Sequence, residues 1–343
     1  MLASEACPGG FSSLGVVARQ QCNLSNCSER LRSTIEGQTL QPLPRGIEGM
    51  LRRTFIKTWM DVVEHYTNRN LTNGRDKLPA ISALARKAFS TRRSCYLAGI
   101  WKDDLVYELG WISELCTLPA ERSENASGPL LDIAAHDRDS IHTNGFYRAP
   151  SWSWASLDGE VIYPYNDDNI GSGSNHSLIE YVDHEIELSN DDDPYGQVKG
   201  GHLIIKAQTI EITARPLKRS GPQTMNTGMS VSVNGYTLTT QTTFCRDEND
   251  GMDWLNPHNV LAMPLLLSVS PPNKFFFTCL LLEKVTNGYK RVGALTVEAK
   301  RSDLKRDDGL REIVCRLGRI DWDTRPSILF ERDPRQFQEI RMI

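Results

Sequence analysis

Three groups of residues have the types and spacing that chemistry needs. The first is His136-Asp137-Arg138-Asp139 with His142. Imidazole and carboxylate together suit a metal ion, and two histidines one helical turn apart share a face. Here the histidines are six apart in a polar stretch, so the segment reads as a solvated loop. The second is Cys22 and Cys27, with no second pair and no adjacent histidine, which falls short of a structural zinc site. The third is Tyr147-Arg148-Ala149-Pro150-Ser151-Trp152-Ser153-Trp154-Ala155-Ser156. Two tryptophans two apart share a face in a strand. With Arg148 stacked on one of them they would make a platform for a sugar or a base. The plainer reading is a core strand that starts at Pro150, turns at Gly159, and buries its indoles against helices. Serines 151, 153 and 156 would keep its other face thin.

Other catalytic signatures are missing. Gly171-Ser172-Gly173-Ser174 lacks the lysine and following helix of a phosphate-binding loop. No Gly-x-Ser-x-Gly elbow occurs. The acidic runs Asp191–Asp193 and Asp307-Asp308 lie beside turn residues, where charge is normally solvated. No cofactor is implied.

The composition is that of a globular protein. The chain has 343 residues, 39% hydrophobic and 24% charged, with a net charge of -4. That length suggests two domains or one large one. The mild acidity gives no reason to expect nucleic acid as a partner. The most apolar stretches, Val260–Val269 and Phe275–Leu282, are too short for a membrane helix. Glu5 and Pro8-Gly9-Gly10 disagree with a signal peptide. An intracellular, cytoplasmic location follows as the expectation. The eight cysteines then read as free thiols, with Cys279 in the core.

Along the chain, residues 1–45 lack a sustained period and read as a poorly ordered leader. From 46 to 118 the pattern is helical. Ile47, Met50, Leu51, Phe55, Trp59, Val62, Val63 and Tyr66 form one apolar stripe. A second helix should follow Asp76 as N-cap, with Ile81, Leu84, Ala85, Ala88 and Phe89 inward. A third is expected over Lys102–Leu115, with Asp103 and Asp104 in its first turn. From 119 to 343 the signals are a polar linker, a loop over Asn166–Ser177, and short strands. The strand candidates include Leu178–Leu188, Leu203–Ile205, Leu265–Val269, Phe275–Val285, Tyr289–Val297 and Ile313–Leu317. Asn234-Gly235 marks a hairpin, because both turn residues must reach positive φ. The fold class is α+β: an N-terminal helical subdomain followed by a β-rich, mainly antiparallel domain.

Four blocks in order carry a family resemblance. Trp59-Met60-Asp61-Val62-Val63-Glu64-His65-Tyr66-Thr67 leads to Leu71-Thr72 and Asp76-Lys77-Leu78-Pro79-Ala80-Ile81-Ser82-Ala83-Leu84-Ala85. Next comes Tyr96-Leu97-Ala98-Gly99-Ile100-Trp101-Lys102-Asp103-Asp104-Leu105, then the tryptophan motif with Leu157-Asp158-Gly159. Late runs at Leu280–Glu283 and Tyr289–Gly293 follow. Together, over roughly residues 46–343, they resemble the region downstream of the HET domain in fungal heterokaryon-incompatibility proteins, with Ala83 where that family usually has glycine. The HET domain itself, marked by segments like "Y-x-A-L-S-Y-x-W-G" and "W-I-D-x-L-C-I-x-Q", has no match here. It is the part related to NAD-cleaving TIR folds, so no catalytic residue carries over. The resemblance implies a truncated HET-family protein in non-self recognition and cell death, acting as a scaffold for a protein partner. Arg148, Pro150, Trp152, Trp154, Trp59, Asp76 and Trp101 are then structural motif residues. The rival reading is a carbohydrate-active or glycan-binding protein that uses the tryptophans as a platform.

Overall fold

The computed structural model describes residues 45–343 except 70, 72, 93, 114–146, 166–169, 171–174, 217–228, 240–241, 248–257, 271–273, 318, 322–328 and 332–336. The 1–44 leader, the 119–129 linker, the His136–His142 cluster and four of the cysteines lie outside these residues.

The apolar stripe forms helix α1, Arg45–Thr67. Its C-terminal half is buried on nearly every side, through Phe55, Ile56, Trp59, Met60, Val62, Val63 and Tyr66. The stripe fails at Met50, which is 69% exposed, and Leu51 is only half-buried, so the packed face is established from Phe55 on. A 3-10 turn at Gly74–Asp76 precedes α2, Lys77–Arg92. Ile81, Ala85 and Ala88 face inward and Leu84 is partly buried, while Phe89 lies on the rim against Tyr195.

Strands β1 (Tyr96–Leu97) and β2 (Ile100–Trp101) make a tight hairpin turned by Ala98 and Gly99, both at positive φ. The long third helix does not form. A 3-10 turn, Lys102–Asp104, runs into α3, Leu105–Glu108, which is only four residues long. Gly110 follows it, and only glycine fits there, since the Tyr165 hydroxyl fills the place of a side chain. The chain then extends into β3 (Ile112–Ser113), paired with β4 (Val161–Ile162).

The rest is one large sheet and its covers. Its strands are β5 (Asn175–Ser177), β6 (Ile179–Leu188), β7 (Val198–Ala207), β8 (Ile210–Pro216), β9 (Met229–Val233), β10 (Tyr236–Thr237), β11 (Thr242–Arg246), β12 (His258–Ser270), β13 (Lys274–Val285) and β14 (Gly288–Lys300). Helix α4 (Asp308–Leu317), the small pair β15 (Arg319–Asp321) and β16 (Leu329–Glu331), and β17 (Gln338–Met342) complete the chain. The sheet order is β10-β9-β8-β12-β13-β14-β17-β7-β6, with β5 also on β12 and β11 also on β14. All pairs are antiparallel except β14 with β17. The architecture is α+β, as the segment order required.

Both faces of the central strands are covered, which is why they read as unbroken apolar runs. Along β13, Leu280 and Leu282 face the core shared with α1, α2 and the tryptophans. Phe275, Phe277, Cys279 and Leu281 face a second core, closed by α4 and the β9–β10 hairpin. That hairpin turns on Asn234 and Gly235 at positive φ. Two sequence readings fail here. Ile313–Leu317 belongs to a helix: with Leu310 it gives the inward set Leu310, Ile313, Val314, Leu317, and the buried carboxylate of Asp307 accepts from the Leu310 amide at 2.8 Å. The expected 166–177 loop ends in a strand, because Asn175–Ser177 pairs with β12.

Helix α1 should show this asymmetry in stability. Phe55→Ala is expected to cost about 3–5 kcal/mol, and Met50→Ala less than about 0.5 kcal/mol. Urea melts of the two variants check it; equal losses would contradict the packing of α1.

Candidate site: a buried tryptophan loop

Residues 147–160 do not form the expected strand. Ser151–Ser153 make a turn and Trp154–Ser156 one 3-10 turn, so Trp152 and Trp154 do not share a strand face. Both are nevertheless fully buried, at 0% exposure. A chain this compact must find partners for its backbone groups without a neighbouring strand. The serines supply several of them, which is their role in place of keeping one face thin. Ser153 Oγ accepts from the Ala155 amide at 3.1 Å, capping the 3-10 turn. Ser156 Oγ donates to the Ser153 carbonyl at 2.7 Å. Ser151 donates from both N and Oγ to the Ile343 carbonyl beyond β17.

The loop fits the β1–β2 turn closely. Ser153 Oγ donates to the Ala98 carbonyl at 2.5 Å, and Trp154 Nε1 to the Gly99 carbonyl at 2.9 Å. Gly99 has φ +105°, and a Cβ there would sit 2.7 Å from Trp154 Nε1. Glycine is therefore required twice over, by its dihedral and by the indole against it. On the helix side, Tyr66 packs edge-on to Trp154 at 5.9 Å between ring centroids. Trp101 packs against Trp59 at 5.5 Å, Tyr96 at 5.0 Å and Phe55 at 6.0 Å. These separations are those of favourable edge-to-face pairs. The indole N–H groups of Trp59, Trp101 and Trp152 meet no acceptor among the described residues.

Arg148 does not stack on either tryptophan of the motif. Its guanidinium donates to Asp158 Oδ1 and to the Ser156 carbonyl, both at 2.5 Å, and clamps the two ends of the loop together. Pro150 is buried, and its carbonyl accepts from the Ser153 amide at 3.0 Å; it opens a turn and not a strand. Asp76 stands directly before α2 and is exposed. The capping side chain in this region is Asn73, one turn earlier, which accepts from the Arg75 amide at 3.1 Å.

The sequence reading missed a fully buried arginine. Arg291 on β14 has no exposed side-chain surface. Its Nε donates to Asp247 Oδ2 at 2.6 Å, and its terminal nitrogens to the Leu109 carbonyl at 2.6 Å and the Trp111 carbonyl at 2.5 Å. Its Cζ lies 3.3 Å from the centroid of the Trp111 ring, a desolvated cation–π contact. Trp111 Nε1 donates in turn to the Trp152 carbonyl at 3.2 Å, and the Arg291 amide to Ser151 Oγ at 3.0 Å. The clue in the sequence was the pair Lys290-Arg291 at the start of the run Val292–Val297, where strand alternation turns one of the two inward. The partner of Arg291, Asp247, lies 44 residues away, and nothing local announces it.

Among the described residues, no cluster of histidine, cysteine, aspartate and glutamate could hold a metal ion. The described cysteines, Cys95, Cys245, Cys279 and Cys315, are free thiols. No described helix is long and apolar enough to cross a membrane. The chain matches no family model, no curated protein and no solved structure.

Removing one partner of a buried ion pair leaves the other charge uncompensated. Arg291→Leu is expected to cost about 3–5 kcal/mol. Adding Asp247→Leu should restore part of that loss. A double variant less stable than the single one, in the same urea melts, would contradict the pairing.

Proposed function

We propose that this chain is a non-catalytic scaffold or interaction module of the heterokaryon-incompatibility family, working with a protein partner in fungal non-self recognition and cell death. One observation carries the scaffold part of that reading. The motif blocks that resemble the family, far apart in sequence, meet in one place and bind each other. Trp59 from the first block packs on Trp101 from the third. Lys77 from the second donates to the Leu157 carbonyl of the fourth. Ser153 and Trp154 of the fourth hold both turn carbonyls of the third. In this chain the motif residues are spent on building a core.

The glycan-platform reading requires indoles open to solvent. Trp152 and Trp154 are closed on all sides, and Arg148 is bound to the loop. The family resemblance places NAD cleavage in a domain whose motifs this chain lacks.

Purified protein incubated with NAD should release no nicotinamide above a heat-killed control, and titration with oligosaccharides should leave its tryptophan emission unchanged. Turnover of NAD would overturn the non-catalytic reading. Saturable glycan binding lost in Trp154→Phe would favour the platform.

A further inference from the structure

Lysine is an unusual choice for the place that Lys77 occupies. It is the first residue of α2, where the positive end of the helix dipole disfavours a cation. The residue is only 5% exposed. Its Nζ donates to the Leu157 carbonyl at the end of the tryptophan loop.

The charged and titratable groups around it do not balance a second cation. The loop contributes Arg148 and Asp158, already joined to each other at 2.5 Å. The turn before α2 contributes Asp76, which is exposed. Helix α1 contributes the Tyr66 hydroxyl, which donates to Lys77's own carbonyl at 2.8 Å and carries no charge in the neutral range. An ammonium group at Lys77 has burial, a guanidinium and a helix N-terminus against it. In its favour it has one shared carboxylate and one carbonyl. A neutral amine still donates to Leu157 and needs nothing more.

We propose that Lys77 is a pH-sensitive latch between the helix pair and the tryptophan loop, closed while its amine is neutral and loosened when the amine takes up a proton. Burial, and then the Arg148 charge, lower the amine from 10.5 to about 7, against the opposing pull of Asp158. Opening or unfolding returns it to its ordinary value. Between about 7 and 10.5 the open form therefore binds more protons than the closed one. Over that range each unit fall in pH favours opening by up to about tenfold for this one group. Below about 7 both forms are protonated and the effect levels off. The latch is weakest at and below neutrality and tightens in mild base.

The test compares wild type with Lys77→Met in urea melts from pH 6 to 9. The wild-type folding constant should rise relative to the variant by up to about tenfold per pH unit above 7, and hold level below about 6.5. Burial raises the Cys279 thiol above its ordinary 9.0, which destabilises the fold in base, but this is common to both proteins and cancels. Parallel profiles would overturn the proposal. If Lys77→Met does not fold, Asp158→Asn decides: loss of the carboxylate that favours the charged amine should move the start of the rise below pH 7, and an unmoved start would overturn it. Acrylamide quenching in native buffer separates a latch from a global effect. Wild-type indoles should be more accessible at pH 6 than at pH 9, and equal quenching at both would reject the latch.

Discussion

A guanidinium with no route to water must find all its partners inside the protein, and in this fold those partners lie on separate parts of the chain. Arg291 comes from the middle of the sheet. Its side chain takes the Asp247 carboxylate after β11 and the carbonyls of Leu109 and Trp111, between α3 and β3. Its amide takes Ser151 in the tryptophan loop, while Trp111 takes the Trp152 carbonyl. These bonds close a ring of sheet, short helix and loop. Such a pair is a weak guarantee of stability, because desolvation offsets much of the attraction. What it provides is register. Any slip of β14 by one residue would turn the charge to the opposite face, away from Asp247 and the two carbonyls.

The tryptophan loop solves a related problem. Large indoles favour burial, but an irregular loop brings polar backbone with it. Here the serines, Trp111, Arg148 and Lys77 satisfy that backbone from within and around the loop. The side chains that looked available for chemistry, an arginine beside two indoles, are occupied in holding it. Residue types suited to ligand recognition are equally suited to closing a loop inside a core, and burial separates the two uses.

Much of the architecture was legible in the sequence, for identifiable reasons. The long stripe of α1, the Asn234-Gly235 hairpin and the apolar runs of β12 to β14 each depend on local pattern. The misreadings came from short segments whose fate is set elsewhere. The helix expected from Lys102 stops after four residues, at Leu109-Gly110, where Tyr165 leaves no room for a side chain at 110. Ile313–Leu317 looked like a strand because five residues are too few to show a helical period, which appears only with Leu310, and Asp307 looked solvated although it is the buried cap. Trp152 and Trp154 were readable as buried from their size. Their 3-10 geometry was not, since it depends on the carbonyls of a distant turn at Ala98 and Gly99. Arg291 and Asp247 were invisible as a pair for the same reason.

The tryptophan loop is built into the core, with both of its indoles closed to solvent. Hydrogen exchange of tryptophan indole N–H groups, followed by NMR on protein labelled at tryptophan, tests it directly. The Nε1–H groups of Trp111 and Trp154 are bonded to the carbonyls of Trp152 and Gly99. Buried groups of this kind exchange only when the surrounding cooperative unit opens. In mild base, where Lys77 holds the loop closed, both should exchange as slowly as the backbone amides of β13 and β14. Exchange of these indoles within minutes, while the sheet amides stay protected, would contradict it.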